Sequence, residues 1–378
     1  MSRSIIMILL ALALAACSDS SDNRNKPEVP PDFSAADAWL QEFVDQQPLF
    51  NGASVAIVEA GSGVIHRNTF GDHTEDTAVL LASTSKVPSV MLLMALDEDD
   101  ANVDFDIQAP IANYLPWQGV WDAAITTENL VSNRSGLPGL GYVFTQQADY
   151  LVHGCQFFPV GNLLDCVETL YTTPLPNLPT TPPDTAFDYG GSQWQLSGGV
   201  AEIVGGGTWN QLWDQYIAQP CGLNVATYGN MLASPTDWSG DPDSLLGIDN
   251  PSIEGGLITN LEDYAQLVAI HLDGGSCGDN AVLTPDALAF MREERTLAEE
   301  DEWGYGMGWW IIPPADGGSI YLYVDPGLYG SVSWIDVDRG YGGIVLFEEY
   351  TAVNASQGSN GVITEMIPLI EEALDAVR

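Results

Sequence analysis

The segment from Ser83 to Glu98, STSKVPSVMLLMALDE, constrains the fold more than any other stretch of the chain, because it is long enough for a helix and strongly apolar. A helix that is apolar all round is stable only where neighbouring elements cover it. Pro88 lies near its start and predicts an irregular first turn. The segment therefore predicts a buried helix with Ser83 near its N-terminus.

The flanking patterns determine the fold class. Residues 33–49 have apolar side chains at helical spacing, and 53–71 contain two apolar runs around a Gly-Ser-Gly turn, typical of a hairpin. Near the C-terminus, a helix over 255–275 precedes three predicted strands, and 361–378 has the pattern of a terminal helix. This order predicts an α+β fold in which helices flank an antiparallel sheet.

The middle of the chain differs from both ends. Residues 106–250 are rich in Pro, Gly, Trp and Tyr and contain only short helical patterns. We expect them to form an inserted, mostly helical and irregular lobe. The remaining parts, 33–105 and 251–378, would form an α/β lobe, and the two lobes together a single domain over 33–378.

The charge balance excludes one class of partner. The chain has 52 acidic residues against 10 basic ones, a formal net charge of -42 at pH 7. So acidic a surface repels polyanions, and we do not expect nucleic acid to bind. The charge favours a high-salt environment, where counter-ions screen self-repulsion. Acidity that merely keeps the protein soluble is the alternative.

The N-terminus has the form of an export signal. Arg3 precedes an apolar run that ends at Ala16 and is too short to span a bilayer. The end of the run, with Cys17, resembles the bacterial lipobox, in which the cysteine is lipidated. We therefore predict a signal peptide over 1–16, a lipid anchor on Cys17 and a flexible tether over 17–32. This places the protein in the bacterial cell envelope, facing the periplasm, at the outer membrane. Ordinary signal cleavage is the alternative.

Four cysteines follow Cys17, and export would expose them to an oxidising compartment. Four cysteines permit three pairings. We predict Cys155–Cys166 and Cys221–Cys277, because the short loop favours the first bridge. Four buried free thiols are the alternative. No Cys-x-x-Cys or Cys/His cluster indicates zinc, so no metal site is predicted.

Ser83 and Lys86 lie three residues apart and share one face of the predicted helix. A hydroxyl is a poor nucleophile at neutral pH and needs a neighbouring base. Lys86 can be that base if burial among apolar neighbours lowers its pKa and leaves it neutral. A lysine that extends from a helix start to solvent is the structural alternative.

The Ser83-x-x-Lys86 pair resembles the Ser-x-x-Lys motif of the serine beta-lactamase and D-alanyl-D-alanine carboxypeptidase superfamily, in particular its class C-like branch with the family VIII-type esterases. Four further segments match that branch in the same order. They are ITTENLVSNRSGLPGL (125–140), EGGLITNLEDYAQLVAIHLDGG (254–275), LTPDALAFM (283–291) and YGMGWW (305–310). The resemblance covers most of residues 35–375 and implies a beta-lactamase/transpeptidase-like fold.

The family's second motif is Tyr-x-Asn or Tyr-x-Ser, and the resemblance places its tyrosine at Tyr189 in FDYGGSQWQLSGG. A tyrosine beside the lysine can relay the serine proton to the leaving group. Gly191 departs from the pattern where Asn is common. We expect Ser192 or Gln193 to replace the missing contact to substrate or to Lys86.

The third motif, Lys-Thr-Gly in lactamases and His-x-Gly in many esterases, corresponds to Asp325-Pro326-Gly327. Gly327 would let the strand approach the substrate, and the Leu328 amide would join that of Ser83 in an oxyanion hole. Asp325 stands where lactamases hold the ligand carboxylate with a positive residue. A carboxylate there would repel such ligands and favour neutral or cationic esters or amides.

These residues predict an exported serine hydrolase of the carboxylesterase type that forms an acyl-enzyme on Ser83, with Lys86 and Tyr189 as bases. Its partner would be a small ester or amide, and no metal or organic cofactor is implied. The alternatives are an amide or oligomer hydrolase or beta-lactamase of the same superfamily, and an inactive binding protein on this fold. No histidine has the Gly-x-Ser-x-Gly context of an α/β-hydrolase triad.

Overall fold

The structure is a computed structural model that describes residues 29–231, 245–296, 303–314, 321–348 and 355–378. The predicted signal peptide, Cys17 and most of the predicted tether lie outside the described residues. Among the described helices, none is long and apolar enough to cross a membrane.

The helices of the described part of the chain cluster in its middle and flank the sheet at its ends. They are α1 (Ser34–Gln46), α2 (Lys86–Asp97), α3 (Thr127–Val131), α4 (Gly141–Thr145), α5 (Gln147–Tyr150), α6 (Leu163–Thr172), α7 (Ser192–Gly205), α8 (Trp209–Trp213), α9 (Gln219–Cys221), α10 (Leu261–Leu272), α11 (Pro285–Arg292), α12 (Ala355–Gly361) and α13 (Ile367–Asp375). Short 3-10 segments lie at Ala82–Ser85, Ile111–Asn113 and Leu151–Phe157, and π turns at Asp214–Ala218 and Val362–Met366.

Within the described ranges, all strand pairs are antiparallel. They are β1 (Gly52–Glu59), β2 (Gly63–Gly71), β3 (Val79–Leu80), β4 (Thr227–Tyr228), β5 (Leu257–Thr259), β6 (Ser276–Cys277), β7 (Asn280–Ala281), β8 (Gly304–Tyr305), β9 (Trp310–Ile312), β10 (Leu322–Pro326), β11 (Val332–Asp336) and β12 (Tyr341–Phe347). The main sheet has seven strands in the order β2-β1-β12-β11-β10-β9-β8, and small sheets have the orders β3-β5-β4 and β6-β7. The predicted α+β fold with an antiparallel sheet is confirmed.

The main sheet lies between two helical layers because its strands alternate apolar side chains on both faces. Val55 and Ile57 of β1 pack in the cluster that contains the buried faces of α1 and α13. Ala56 and Val58 point the other way, into the cluster that contains α2 and α10. The strand β1 pairs with β12 in the register Val55 to Val345, so strands from the two ends of the chain lie side by side as the second and third of the seven strands.

The helix α2 is the buried helix that the sequence predicts, since every residue from Lys86 to Leu96 is buried. It begins only at Lys86, because a 3-10 turn over Ala82–Ser85 precedes it and confirms the irregular start. The hairpin of β1 and β2 is also confirmed. Gly61 and Gly63 lie at φ 70° and 72° in its turn, the left-handed region that glycine adopts without strain.

The C-terminal strands are more numerous than predicted. Residues 304–347 contain five strands in their described part and not three, because two of the long apolar runs are interrupted. Gly308, at φ 84°, reverses the chain between β8 and β9, and Gly330, at φ 100°, lies in the turn between β10 and β11. Apolar periodicity persists across both turns, so it does not reveal them.

Both predicted disulfides are present. Cys155 and Cys166 are joined with their Cα atoms 5.6 Å apart, and Cys221 and Cys277 with theirs 5.3 Å apart. The first bridge links the 3-10 segment Leu151–Phe157 to α6. The second links the end of α9 to β6, across 56 residues of sequence.

Candidate active site

Ser83 lies in the 3-10 turn that leads into α2. The small strand β5 holds this turn, since Leu81 donates its N–H to the Leu257 carbonyl at 3.0 Å and Leu257 donates its own to Ser85 Oγ at 3.0 Å. Ala82, the residue before Ser83, has φ 50°, a conformation that costs a non-glycine residue energy. Strain of this kind is typical of functional sites, where the surrounding structure enforces it.

Lys86 is completely buried and lies directly beside Ser83. Its Nζ donates to Ser83 Oγ at 3.1 Å and to the Glu254 carbonyl oxygen at 3.2 Å. The same Nζ lies 4.6 Å from the centre of the Tyr189 ring and 5.3 Å from that of Trp194, within the range of cation–π attraction. The sequence-predicted Ser83, Lys86 and Tyr189 are therefore brought together, and the alternative in which Lys86 extends to solvent is wrong.

The environment of Lys86 favours its charged form. Burial acts to lower the pKa of the ammonium, but the nearby Tyr189 and Glu254 outweigh burial and raise that pKa above its ordinary value. These neighbours therefore act against the expectation that burial leaves Lys86 neutral. Burial also raises the pKa of Tyr189, and the Lys86 charge and a hydrogen bond with Ser83 only partly oppose this.

The partner that sequence reasoning missed is Glu254, which lies in the loop before β5. Its Oε2 is 3.2 Å from Lys86 Nζ, and the two side chains are 5% and 0% exposed. The same oxygen accepts the Gly191 N–H at 3.0 Å. Glu254 stands inside the matched segment EGGLITNLEDYAQLVAIHLDGG, but nothing in its spacing relative to Ser83 or Tyr189 identifies it.

Gly191 and Ser192 do not contact the cavity as predicted. Gly191 has φ 88° and ψ -157°, which a side chain does not tolerate, and an added Cβ would collide with the Tyr150 hydroxyl. Ser192 is fully buried and donates its N–H to Tyr150 Oη at 3.0 Å. Both residues thus shape the turn that presents Tyr189, and their predicted substrate contacts are corrected.

Gln193 does not replace the missing asparagine either. Its Nε2 donates to the carbonyl oxygens of Asp188 and Gly190 at 2.7 and 2.8 Å, and its Oε1 accepts the Ser135 hydroxyl at 2.7 Å. Gln193 therefore joins the Tyr189 turn to the segment SNRSGLPG. Sequence reasoning also missed Asn133 in that segment, whose Oδ1 accepts the Gly190 N–H at 2.8 Å.

Asp325 occupies a different place from the one predicted. Its side chain is fully buried, and its Oδ2 accepts the Val87 N–H at 3.1 Å, at the start of α2. Burial raises the pKa of this carboxyl well above its ordinary value, with Val87 and Lys86 opposing. The prediction that Asp325 meets and repels a ligand carboxylate is corrected, because the residue lies behind the cavity and favours a neutral form.

A cavity of about 350 Å³ opens over Ser83. The described residues that line it carry no charge; they are Ser83, Tyr189, Trp303, Trp310, Pro326, Gly327, Leu328, Ser359 and Asn360. One wall is aromatic, since Trp310 stacks on Tyr189 with ring centres 5.3 Å apart and Trp303 lies 6.3 Å from Trp310. Such a lining suits a neutral, apolar or cationic substrate group.

The predicted oxyanion-hole residues border the same cavity. Gly327 packs so closely on the turn before α2 that a Cβ there would collide with the Leu81 carbonyl oxygen. This close approach explains why position 327 requires glycine. Its N–H donates to the Ser331 carbonyl at 2.7 Å, which closes the turn that carries Leu328. Leu328 is 39% exposed at the cavity that Ser83 also lines. The pairing of their amides around an oxyanion stays a prediction.

The described residues contain no group of three or more His, Cys, Asp and Glu side chains that could hold a metal ion. The arrangement around Ser83 instead offers a hydroxyl, an ammonium and a phenol in contact. These groups can perform nucleophilic attack and proton transfer.

Comparison with known proteins agrees with this geometry. The family model named Beta-lactamase matches residues 36–357, most of the chain. The chain belongs to the beta-lactamase family. The resemblance predicted from the five motifs is thereby confirmed, as is membership of a superfamily of serine hydrolases.

Individual relatives are distant. The chain is 24% identical over 315 residues to penicillin-binding protein 4 of Amycolatopsis lactamdurans, covering 73% of this chain and 78% of that protein. The structure of EstCE1, a hydrolase with promiscuous acyltransferase activity, superposes with a TM-score of 0.70 at 18% identity, over 90% of this chain and 98% of that one. A D-stereospecific amidohydrolase from Streptomyces superposes with a TM-score of 0.63 at 18% identity, over 89% and 99% of the two chains. At these identities the structural matches show the fold alone.

Proposed function

We propose that this beta-lactamase family member is a carboxylesterase that hydrolyses small neutral or cationic esters through a covalent acyl–Ser83 intermediate. The observation that carries the proposal is the combination of an intact Ser83–Lys86–Tyr189 cluster with a cavity whose described lining has no charged side chain. A ligand carboxylate, as in penicillins, would find no cation among those residues. The resemblance in fold to EstCE1 agrees with the proposal.

The reaction follows from the contacts around Ser83. Ser83 Oγ attacks the ester carbonyl carbon, and its proton passes to the Lys86–Tyr189 pair. The oxyanion forms where the Ser83 and Leu328 amides border the cavity. The pair returns the proton to the departing alkoxide, which leaves as an alcohol. Water then attacks the acyl–Ser83 ester by the same proton route and releases the acid.

A panel of substrates with different charges tests the proposed specificity. We expect kcat/KM for p-nitrophenyl butyrate and for the cationic butyrylthiocholine to exceed that for the anionic p-nitrophenyl hemisuccinate by about tenfold or more, because an uncompensated carboxylate in an apolar cavity costs more than 1.4 kcal/mol. Nitrocefin, also anionic, should be turned over slowly. Spectrophotometric initial rates at fixed ionic strength give the comparison.

A matched variant separates cavity charge from other causes of the preference. Asn360→Lys places a cation at an exposed position of the cavity lining, and it should raise kcat/KM for the hemisuccinate ester several-fold while p-nitrophenyl butyrate changes little. Equal rates on anionic and neutral esters in the unaltered protein would contradict the charge argument. Faster cleavage of p-nitroanilides than of esters would favour the amide-hydrolase alternative.

We further propose that the protein is exported and anchored at the bacterial outer membrane through lipidated Cys17. The support is the lipobox-like sequence before Cys17 and the proline-rich tether that follows it. In a Gram-negative host, the protein should fractionate with membranes. Cys17→Ser removes the residue that carries the lipid and should release most of the protein into the soluble fraction, because two or more acyl chains are needed for stable anchoring. Membrane retention of Cys17→Ser, measured by immunoblotting of fractions, would refute the anchor.

A further inference from the structure

We propose that Glu254 is a positioning residue that keeps Lys86 protonated and thereby makes Tyr189 the group that accepts the Ser83 proton. The proposal rests on the proposed function, since it concerns the same site. It assigns a role to a buried carboxylate that replaces the missing amide of the second motif.

The geometry gives Glu254 two contacts to Lys86 at once. Its main-chain oxygen accepts a hydrogen bond from Nζ at 3.2 Å, and its side-chain Oε2 lies 3.2 Å from the same nitrogen. Oε2 also accepts the Gly191 N–H, which is the main-chain group of the position where the family carries asparagine. The Glu254 carboxylate therefore makes charge-assisted contacts to the ammonium and to a main-chain N–H at the same time.

The turn at Gly191 leaves no room for the usual side chain. Its φ and ψ of 88° and -157° are accessible to glycine, and Tyr150 Oη fills the space where a Cβ would stand. Tyr150 is fully buried, and burial raises the pKa of its phenol to about 12, so it stays neutral over the working range. In the resulting arrangement of Gly191, Tyr150 and Glu254, a carboxylate and not an amide contacts Lys86.

This carboxylate determines which member of the Lys86–Tyr189 pair loses a proton first. One proton removed from the pair leaves either neutral lysine with tyrosine, or ammonium with tyrosinate. Glu254 lies in contact with Nζ and stabilises the ammonium, so it shifts the balance toward tyrosinate. Tyrosinate hydrogen-bonded to Ser83 is then the base, while Lys86 Nζ donates to Ser83 Oγ and lies over the Tyr189 ring.

The described residues place four further titratable groups around this pair. They are Glu254 from the loop before β5, Asp325 from β10, Tyr150 from α5 and Tyr305 from β8. Burial raises the pKa of Asp325 and of both tyrosines, which favours their neutral forms. The Glu254 carboxylate therefore remains as the counter-ion of Lys86 in this group of residues.

The experiment compares pH profiles of kcat/KM for p-nitrophenyl butyrate, corrected for spontaneous hydrolysis, in the unaltered protein and in Glu254→Gln. In the unaltered protein we expect the rate to rise with pH on the alkaline side of neutrality, because the pair must lose one proton. Removing a negative charge makes that loss easier, so the rising limb should move to lower pH by about one to three units in Glu254→Gln. The plateau should fall by about 10- to 100-fold, because the remaining proton then stays on Tyr189.

Two control variants distinguish a positioning role of Glu254 from a merely structural one. Glu254→Asp keeps the charge and should keep the limb near its original pH. Glu202→Gln removes another partly buried carboxylate, which lies ten residues along α7 from Ser192 and so about 15 Å from that residue. This variant should leave the pH profile of kcat/KM unchanged. A plateau that falls in Glu254→Gln without movement of the limb would overturn the proposal.

A readout independent of turnover keeps the proposal separate from the proposed function. With ¹³Cζ-labelled tyrosine, and Tyr189→Phe for assignment, the Tyr189 resonance should change to tyrosinate in the first titration step of the unaltered protein. In Glu254→Gln it should remain that of the phenol through that step. Identical titration of Tyr189 in both proteins would overturn the proposal. If no ester is hydrolysed, this titration still decides the role of Glu254, and the proposed function alone fails.

Discussion

Ser83→Ala is expected to reduce ester hydrolysis by at least about 10³-fold and to abolish covalent labelling by a fluorophosphonate, because Ser83 Oγ is the only atom that forms the acyl bond in the proposed reaction. The oxygen is held by Lys86 Nζ at 3.1 Å and borders the uncharged cavity. A methyl group in its place removes the nucleophile and leaves the cavity otherwise intact. The fold should be preserved, since the change removes one atom.

The measurement is labelling stoichiometry by intact-protein mass spectrometry, together with initial rates on p-nitrophenyl acetate and butyrate. Ser62→Ala is the matched control, because Ser62 lies in the β1–β2 turn and its hydroxyl contacts only Glu59 among the described residues. The Ser62→Ala variant should react with the fluorophosphonate and hydrolyse the esters as the unaltered protein does. Labelling that persists in Ser83→Ala would contradict the proposed mechanism. Absence of labelling in the unaltered protein would favour the binding-protein alternative.

Lys86→Met is expected both to abolish hydrolysis and to lower the free energy of unfolding by about 3–5 kcal/mol. The change removes the cation from a fully buried pair and leaves Glu254, whose side chain is 5% exposed, without its counter-ion. A buried carboxylate without a partner must protonate or draw in water, and either response costs stability. Urea unfolding followed by tryptophan fluorescence, with ester hydrolysis on the same samples, measures both effects.

The double variant Lys86→Met with Glu254→Gln distinguishes stability from catalysis. Replacing both charges removes the unpaired carboxylate, so most of the lost stability should return. Activity should not return, because the proton route through Lys86 and Tyr189 remains broken. A Lys86→Met variant as stable as the unaltered protein would show that Glu254 carries no charge in this site. Recovery of activity in the double variant would contradict the role of Lys86.

The parts of the fold that sequence predicts well are those with local causes. The helix α1, the β1–β2 hairpin and the buried helix α2 follow from apolar spacing and from glycines at the hairpin turn. The cysteine pairs follow from an even count and one short loop. The division of the C-terminal runs into five strands was missed, because the turns at Gly308 and Gly330 interrupt runs that remain apolar.

The sequence by itself determined the family and the cluster of Ser83, Lys86 and Tyr189, since Ser83 and Lys86 are adjacent on one helical turn and the other motifs recur in a recognisable order. Only the tertiary structure placed Glu254 against Lys86 and buried Asp325 at the start of α2. Electrostatic fields depend on distance through space and on burial, and Glu254 stands 168 residues from Lys86 in the chain but 3.2 Å from it in the fold. Spacing along a sequence carries no record of such a contact, so the Ser83–Lys86–Tyr189 cluster could be located from motifs but the buried carboxylate beside it could not.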